Sequence, residues 1–242
     1  MSVVQESVSR AGMQECGVGS EPTSSDGTDS VQVIDLVDES AVDLREDRSQ
    51  IRSRERVRDL AEVYTGEADV KAMLDLVPEM FESIDSTFLE PACGDGNFLV
   101  EILSRKCSLL DKSKHRGSGN WVEMAVLRCV ASVYAIDISE DNVAESRRRL
   151  TVLASDALDK RGVRRSADFS TALAEILRSN VVLGDTLNGA DQIEFVEWEV
   201  VDEEKFIRIP FPFLEPEIDL FYSAPDPLPP VHFSELGQKA KA

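Results

Sequence analysis

Two glycines flank an aspartate, Gly94-Asp95-Gly96, in the stretch "FLEPACGDGNFLVEIL" from Phe88 to Leu103. Glycine has no Cβ and tolerates positive φ, so such a turn lets the backbone approach a ligand closely. Two acids close apolar runs further on: Asp137 in "SVYAIDI" and Asp185 in "NVVLGD". A carboxylate at Asp137 could accept both hydroxyls of a ribose, and one at Asp185 could accept a hydrogen bond from an exocyclic amine. The dinucleotide pattern GxGxxG is incomplete, because Leu99 stands where its third glycine would be, which disfavours a pyrophosphate. Together these residues describe a pocket for an adenosine that carries no phosphates.

For them to meet, the chain must bring three strand ends to one edge. Short apolar runs at Thr87–Glu90, "SVYAIDI" and "NVVLGD" alternate with helical spacing at Asn97–Leu110, Trp121–Ala131, the stretch after Ser139, and "FSTALAEILRS". That alternation predicts an α/β fold with a parallel sheet, in which ligands sit beyond the carboxyl ends of the strands. Upstream, Arg54–Val63 has helical spacing. "TGEADVKAMLDLVPEMF" predicts an amphipathic helix with Thr65 as N-cap and Ala68, Met73, Leu76 and Val77 on its buried face. Phe98, Ile102 and Leu103 are expected inward in the next helix, and Ser139 is expected to cap the helix that follows it. After Gly189 the period changes to two in "IEFVEWEVVDEEKFIRIPFPF", which predicts a β-hairpin turning at "DEEK". The run "IDLFY" then precedes a proline-rich end.

With these segments in place, "LEPACGDGNFLVEIL" resembles motif I of the S-adenosylmethionine-dependent N6-adenine DNA methyltransferases, the class of type I and fused type II restriction-modification systems. "EVYTGEADVKAML" is similar to that class's upstream motif, with Thr65-Gly66-Glu67 where Thr-Pro-Pro is usual. "YAIDISEDNV" resembles motif II and "NVVLGDTL" motif III, so the likeness spans Arg54 to Leu187. It implies a Rossmann-like class I methyltransferase fold and S-adenosyl-L-methionine as cofactor, with no metal. Position by position, Tyr64 and Thr65 would lie at the cofactor's carboxylate. Glu90 and the backbone of Ala92, Gly94, Asp95 and Gly96 would hold its methionine end. Asp137 would take the ribose, Asp185 the adenine amino group, and Ile138 would line the adenine face.

The resemblance breaks at the catalytic motif. Adenine N6 is a poor nucleophile, and that class activates it with an Asn/Asp/Ser-Pro-Pro-Tyr/Phe tetrapeptide whose oxygens accept the amine's hydrogens while the ring stacks on the flipped base. Here the nearest stretch is "IDLFYSAPDPLP". In one register Ala224 replaces the acceptor; in the other Asp226 is an acceptor with no aromatic ring after it, forfeiting stacking of about 1–3 kcal/mol per base. The sheet is therefore expected to be incomplete in its C-terminal half. Two readings stand beside each other: a DNA methyltransferase of a restriction-modification or phage system, completed by a protein partner, and a catalytically inactive cofactor-binding subunit of such a complex. A small-molecule or protein methyltransferase is a third.

Composition bears on partners. The formal charge is −20, with three basic against eleven acidic side chains in residues 1–50 and four against twelve in residues 189–242, which leaves −4 between them. The acidic ends would repel a DNA backbone at low salt. The basic groups cluster in the middle, in "RKCSLLDKSKHR", "RRRL" and "DKRGVRR", where a phosphate-facing surface is weighed against a solvated helix face and the latter favoured. Residues 1–50 read as an acidic tail without a core, containing an apolar knot, "VQVIDLVD"; residues 51–223 read as the methyltransferase-like domain and 224–242 as a proline-rich tail. No apolar run is long enough for a bilayer, and the expected location is the cytoplasm. Cys16, Cys93, Cys107 and Cys129 show no CxxC spacing and only two histidines exist, so neither a zinc site nor a disulfide framework is expected.

Overall fold

The computed structural model describes residues 65–112, 119–202, 204–214 and 225–236, all within the unit Glu46–Ala242. Tyr64, the acidic stretch with its "VQVIDLVD" knot, the Arg54–Val63 segment and the "IDLFY" run lie outside the described residues. The described elements are α1 (Glu67–Leu74), β1 (Phe88–Glu90), α2 (Asn97–Lys112), α3 (Gly119–Ala131), β2 (Val133–Asp137), α4 (Glu140–Asp159), α5 (Ala167–Asn180), β3 (Val181–Leu183), β4 (Glu194–Val201), β5 (Lys205–Pro212) and β6 (Leu228–His232), with short 3-10 turns between some of them. This is a mixed α/β architecture.

β1, β2 and β3 form a parallel sheet in that spatial order, with Glu90 opposite Ala135 and Asp137 opposite Leu183. The expected strand–helix alternation thus produces the expected parallel sheet. β2 is central and buried along its whole length. Its period of two divides the core. Val133 and Ala135 join the larger apolar cluster with all five helices, whereas Tyr134 and Ile136 join a second cluster with Ile193 and Phe195.

That second cluster comes from the predicted hairpin. β4 and β5 pair antiparallel over their whole length, and β6 adds to β5. Phe195 and Phe211 set their rings edge-on to Tyr134 at centroid separations of 5.3 and 5.6 Å, an arrangement worth about 0.5–1.5 kcal/mol per pair beyond area burial. The Tyr134 hydroxyl donates to the Val196 carbonyl at 3.3 Å, and burial raises its pKa. Gly184 permits this approach: a Cβ there would stand 2.6 Å from Ile193 Cδ1. At its other end the hairpin reaches the helical core, where the Trp198 indole donates to Asn180 Oδ1.

Several local expectations need correction. α1 is capped by Gly66 and not by Thr65, and it stops at Leu74. Pro78 opens a separate 3-10 turn after it. The buried face is Val70 and Leu74, one i,i+4 pair, while Ala68, Met73 and Leu76 are exposed. Ser139 occupies the N-cap of α4, but its side chain makes no capping bond. The basic runs are not simply solvated faces. Arg147 donates to the carbonyls of Val181 and Arg178, Arg149 to Asp95 and Asn97, and Arg161 to Ala157 and Cys107, so these guanidiniums tie elements together. Among the described residues no helix is long and apolar enough to cross a membrane.

Candidate functional site

The carboxyl ends of the three parallel strands bring the sequence-derived residues to one edge. β1 ends at Glu90, β2 at Asp137 and β3 at Leu183, two residues before Asp185. Between β1 and α2 runs the glycine turn. Gly94 has φ +54° and Gly96 φ +92°, the left-handed region where a side chain is strained. A Cβ on Gly96 would also stand 2.8 Å from Ser146 Oγ, so α4 packs directly on the turn.

Asp137 is the hub of this edge. It is 8% exposed, Oδ2 accepts from Gly94 N at 2.8 Å, and Oδ1 accepts from Ser139 N at 2.8 Å and Asn142 Nδ2 at 3.1 Å. Cys93 N donates to the Ile136 carbonyl at 2.9 Å and Gly184 N to the Asp137 carbonyl at 3.0 Å, so both flanking loops are stitched to the end of β2. A carboxylate oxygen has two lone-pair sites. Among the described residues Oδ1 has two donors and Oδ2 one, so Oδ2 has room for a further donor.

The turn is clamped from the far side. Arg149 Nη1 donates to the Asp95 carbonyl at 2.8 Å and to Asn97 Oδ1 at 2.9 Å, with the Asp95 carboxylate 3.3 Å away. Asn97 Nδ2 donates to the Thr65 carbonyl at 3.1 Å, which carries Thr65 to the start of α2 beside the turn. Glu90 Oε1 accepts from Ala92 N at 3.3 Å, and burial raises the Glu90 pKa. Below the turn, burial pushes the Cys93 thiol up to about 12, so this cysteine is a packing residue and no nucleophile.

Asp185 lies at the third strand end, where its carboxylate shapes its own loop. Oδ1 accepts from Leu187 N and Asn188 N at 2.9 and 3.0 Å, and Oδ2 from Asn188 Nδ2 at 2.9 Å. The Asn188 side chain and these two amides hold its pKa below the ordinary aspartate value. One lone-pair site on Oδ2 remains. Around these acids the edge carries exposed apolar side chains: Ile138 at 56%, Leu183 at 55% and Leu187 at 90%. Large apolar groups left in water beside the buried Asp137 carboxylate and the loop-bound Asp185 are a surface suited to a flat, partly apolar ligand.

Of the residues read from sequence, Thr65, Glu90, Ala92, Gly94, Asp95, Gly96, Asp137, Ile138 and Asp185 meet at this edge. Asp226 does not. It is exposed two residues before β6, whose Leu228 pairs with Arg208 and, through β5, lies level with Trp198. Trp198 is bonded to Asn180, just before β3, and because β6 runs antiparallel to β5 the chain before Leu228 comes from the side of Pro210 and Val196. Sequence reasoning missed Asn142, Ser146 and Arg149. All three lie on the helix after Ser139, and their spacing of about one turn would have put them on one face, toward whatever precedes α4. Comparison with protein-family models, with curated proteins and with solved structures finds no match for this chain.

Proposed function

We propose that the carboxyl edge of the parallel sheet binds S-adenosyl-L-methionine and that the domain is a Rossmann-like methyltransferase domain of the adenine-N6 DNA type. The observation that carries this reading is the bond from Gly94 N to Asp137 Oδ2, which joins the glycine turn to the acid at the end of the next strand beside exposed Ile138. The spatial order β1-β2-β3 is that of one half of a doubly wound sheet, whose ligands lie at this edge. The incomplete dinucleotide pattern, which disfavours a pyrophosphate, suits a nucleoside sulfonium: the methionine end would meet Glu90 and the turn's amides, the ribose Asp137, and adenine would lie on Ile138 near Asp185.

Methyl transfer would be a direct displacement at the sulfonium carbon, in which bringing the acceptor nitrogen in line supplies most of the acceleration. The chain's own residues contribute binding and orientation. A group to accept the amine's hydrogens is the missing part, because the Asn/Asp/Ser-Pro-Pro-Tyr/Phe tetrapeptide does not occur in the sequence and Asp226 has no aromatic ring after it. This favours the second reading, in which the domain holds the cofactor without transferring its methyl group unless a partner completes the site. DNA and protein partners belong to that proposal.

The test is calorimetric titration of the purified chain with S-adenosylmethionine, followed in the same preparation by transfer of a tritiated methyl group to mixed DNA. Binding with transfer establishes the enzyme, binding without transfer establishes the cofactor-holding subunit, and absence of binding removes both.

A further inference from the structure

A groove of about 370 Å³ runs between α2 and α4. Val100, Cys107, Val152, Leu153 and Ala157 contribute apolar surface to it. Its charged lining is Arg148, Arg149, Lys160 and Arg161 against Asp111 and Asp156. Four cations facing two carboxylates is a reversal of the whole chain, whose formal charge is −20. The volume falls in the range of small-ligand sites, roughly 300–1,000 Å³.

The cations are differently committed. Arg161 is held by Asp111 at 2.6 Å and by the carbonyls of Ala157 and Cys107, which fixes one wall. Arg148 is bonded to Glu145 within its own exposed helical face, a pair of the kind that exchanges readily with a better anion. Lys160 makes no ion pair among the described residues. Ser104 adds a hydroxyl from α2, and Ser108 a second one that donates to the Ser104 carbonyl. An anion here would be met by mobile charges at the rim, by a fixed guanidinium wall, and by a hydroxyl donor, the combination that recognises phosphate oxygens.

Arg149 connects this groove to the glycine turn. The same guanidinium that lines the groove donates to the Asp95 carbonyl and Asn97 Oδ1. An anion that recruits Arg149 competes with those acceptors and loosens the turn.

We propose that the α2–α4 groove is a binding site for a phosphate-bearing anion, and that its occupancy is transmitted through Arg149 to residues 94–97. The proposal does not require that the strand edge bind S-adenosylmethionine. It is tested with pyrophosphate as the probe, by calorimetry on the full chain at ionic strength matched with sodium chloride. Saturable binding is expected, weakened about tenfold or more in the double variant Arg148→Ala/Lys160→Ala, both of whose positions are solvent-facing, and retained in Arg178→Ala, which removes an equivalent exposed charge elsewhere. No saturable binding, or equal loss in the Arg178→Ala control, overturns the site. Hydrogen exchange of the turn reads the second half: faster exchange at 94–97 on adding pyrophosphate is expected. Binding with unchanged exchange there overturns the coupling through Arg149.

Discussion

Two buried charged side chains anchor opposite ends of the parallel sheet, and they differ in what surrounds them. Lys106, fully buried, lies at the end where β1 and β2 begin. Its ammonium donates to the carbonyl of Ile84 at 2.8 Å, to that of Ser86, and to Ser132 Oγ at 2.6 Å, with its Nζ 5.3 Å from the Phe88 ring centroid. Burial pushes its pKa down to about 8, against which these oxygens favour the charged form. Asp137, at the other end, is also buried and likewise has three partners, here donors, but its neighbours Ile138, Leu183 and Leu187 are open to water. Both charges hold loops together; only the second does so beneath an uncovered apolar surface. A satisfied buried charge is therefore structural by default, and the exposed apolar rim is what makes one of the two ends the candidate site.

The largest expected effect sharpens the structural side of that contrast. Lys106→Met strands the Ser86 carbonyl and takes a donor from the Ile84 carbonyl and from Ser132 Oγ, which keep their bond to each other, and should cost about 2–3 kcal/mol in chemical denaturation. What folds should bind S-adenosylmethionine as the wild type does. Asp137→Asn should act the other way round. It keeps the volume but turns one acceptor into a donor facing either Gly94 N or Ser139 N, so stability should fall by about 1–2 kcal/mol and cofactor affinity by at least about tenfold. Equal affinity in the variant would break the comparison.

Smaller effects separate rim from hub. Ile138→Ser lies at a side chain already in water and should change stability by less than about 0.5 kcal/mol, while calorimetry shows a several-fold loss of cofactor affinity. The smallest effect is a slope. Burial raises the folded-state pKa of Glu90 above its unfolded value. The folded chain thus binds that proton more tightly, and Glu90's contribution is present below the unfolded pKa and lost as pH rises through the folded one. Denaturation of Glu90→Gln across the carboxylate range should lack that part of the decline.

Much of this arrangement was legible in the sequence because it rests on period and punctuation. Strands β1 to β3 are short apolar runs closed by acids, and β4 and β5 alternate on either side of "DEEK". The face of α1 was misread because several apolar residues after Val70 fit a helical stripe, and only the stop at Leu74 decides which of them are covered. Lys106 sits in "RKCSLL" and reads as one more surface charge. Its acceptors come from residues 20 to 26 positions away, which local pattern does not reveal. The same holds for Arg149, 54 residues from Asp95. Asp137 was found as an acid at a strand end, but its role in binding Gly94 and Ser139 belongs to tertiary structure.

The most direct test of the central claim is amide chemical-shift mapping of the full chain during titration with S-adenosylmethionine. The account predicts saturable shifts concentrated at residues 93–97, 137–139 and 184–188, including the Gly94 and Ser139 amides that donate to Asp137. Shifts confined to other surfaces, or none at saturating ligand, would contradict it.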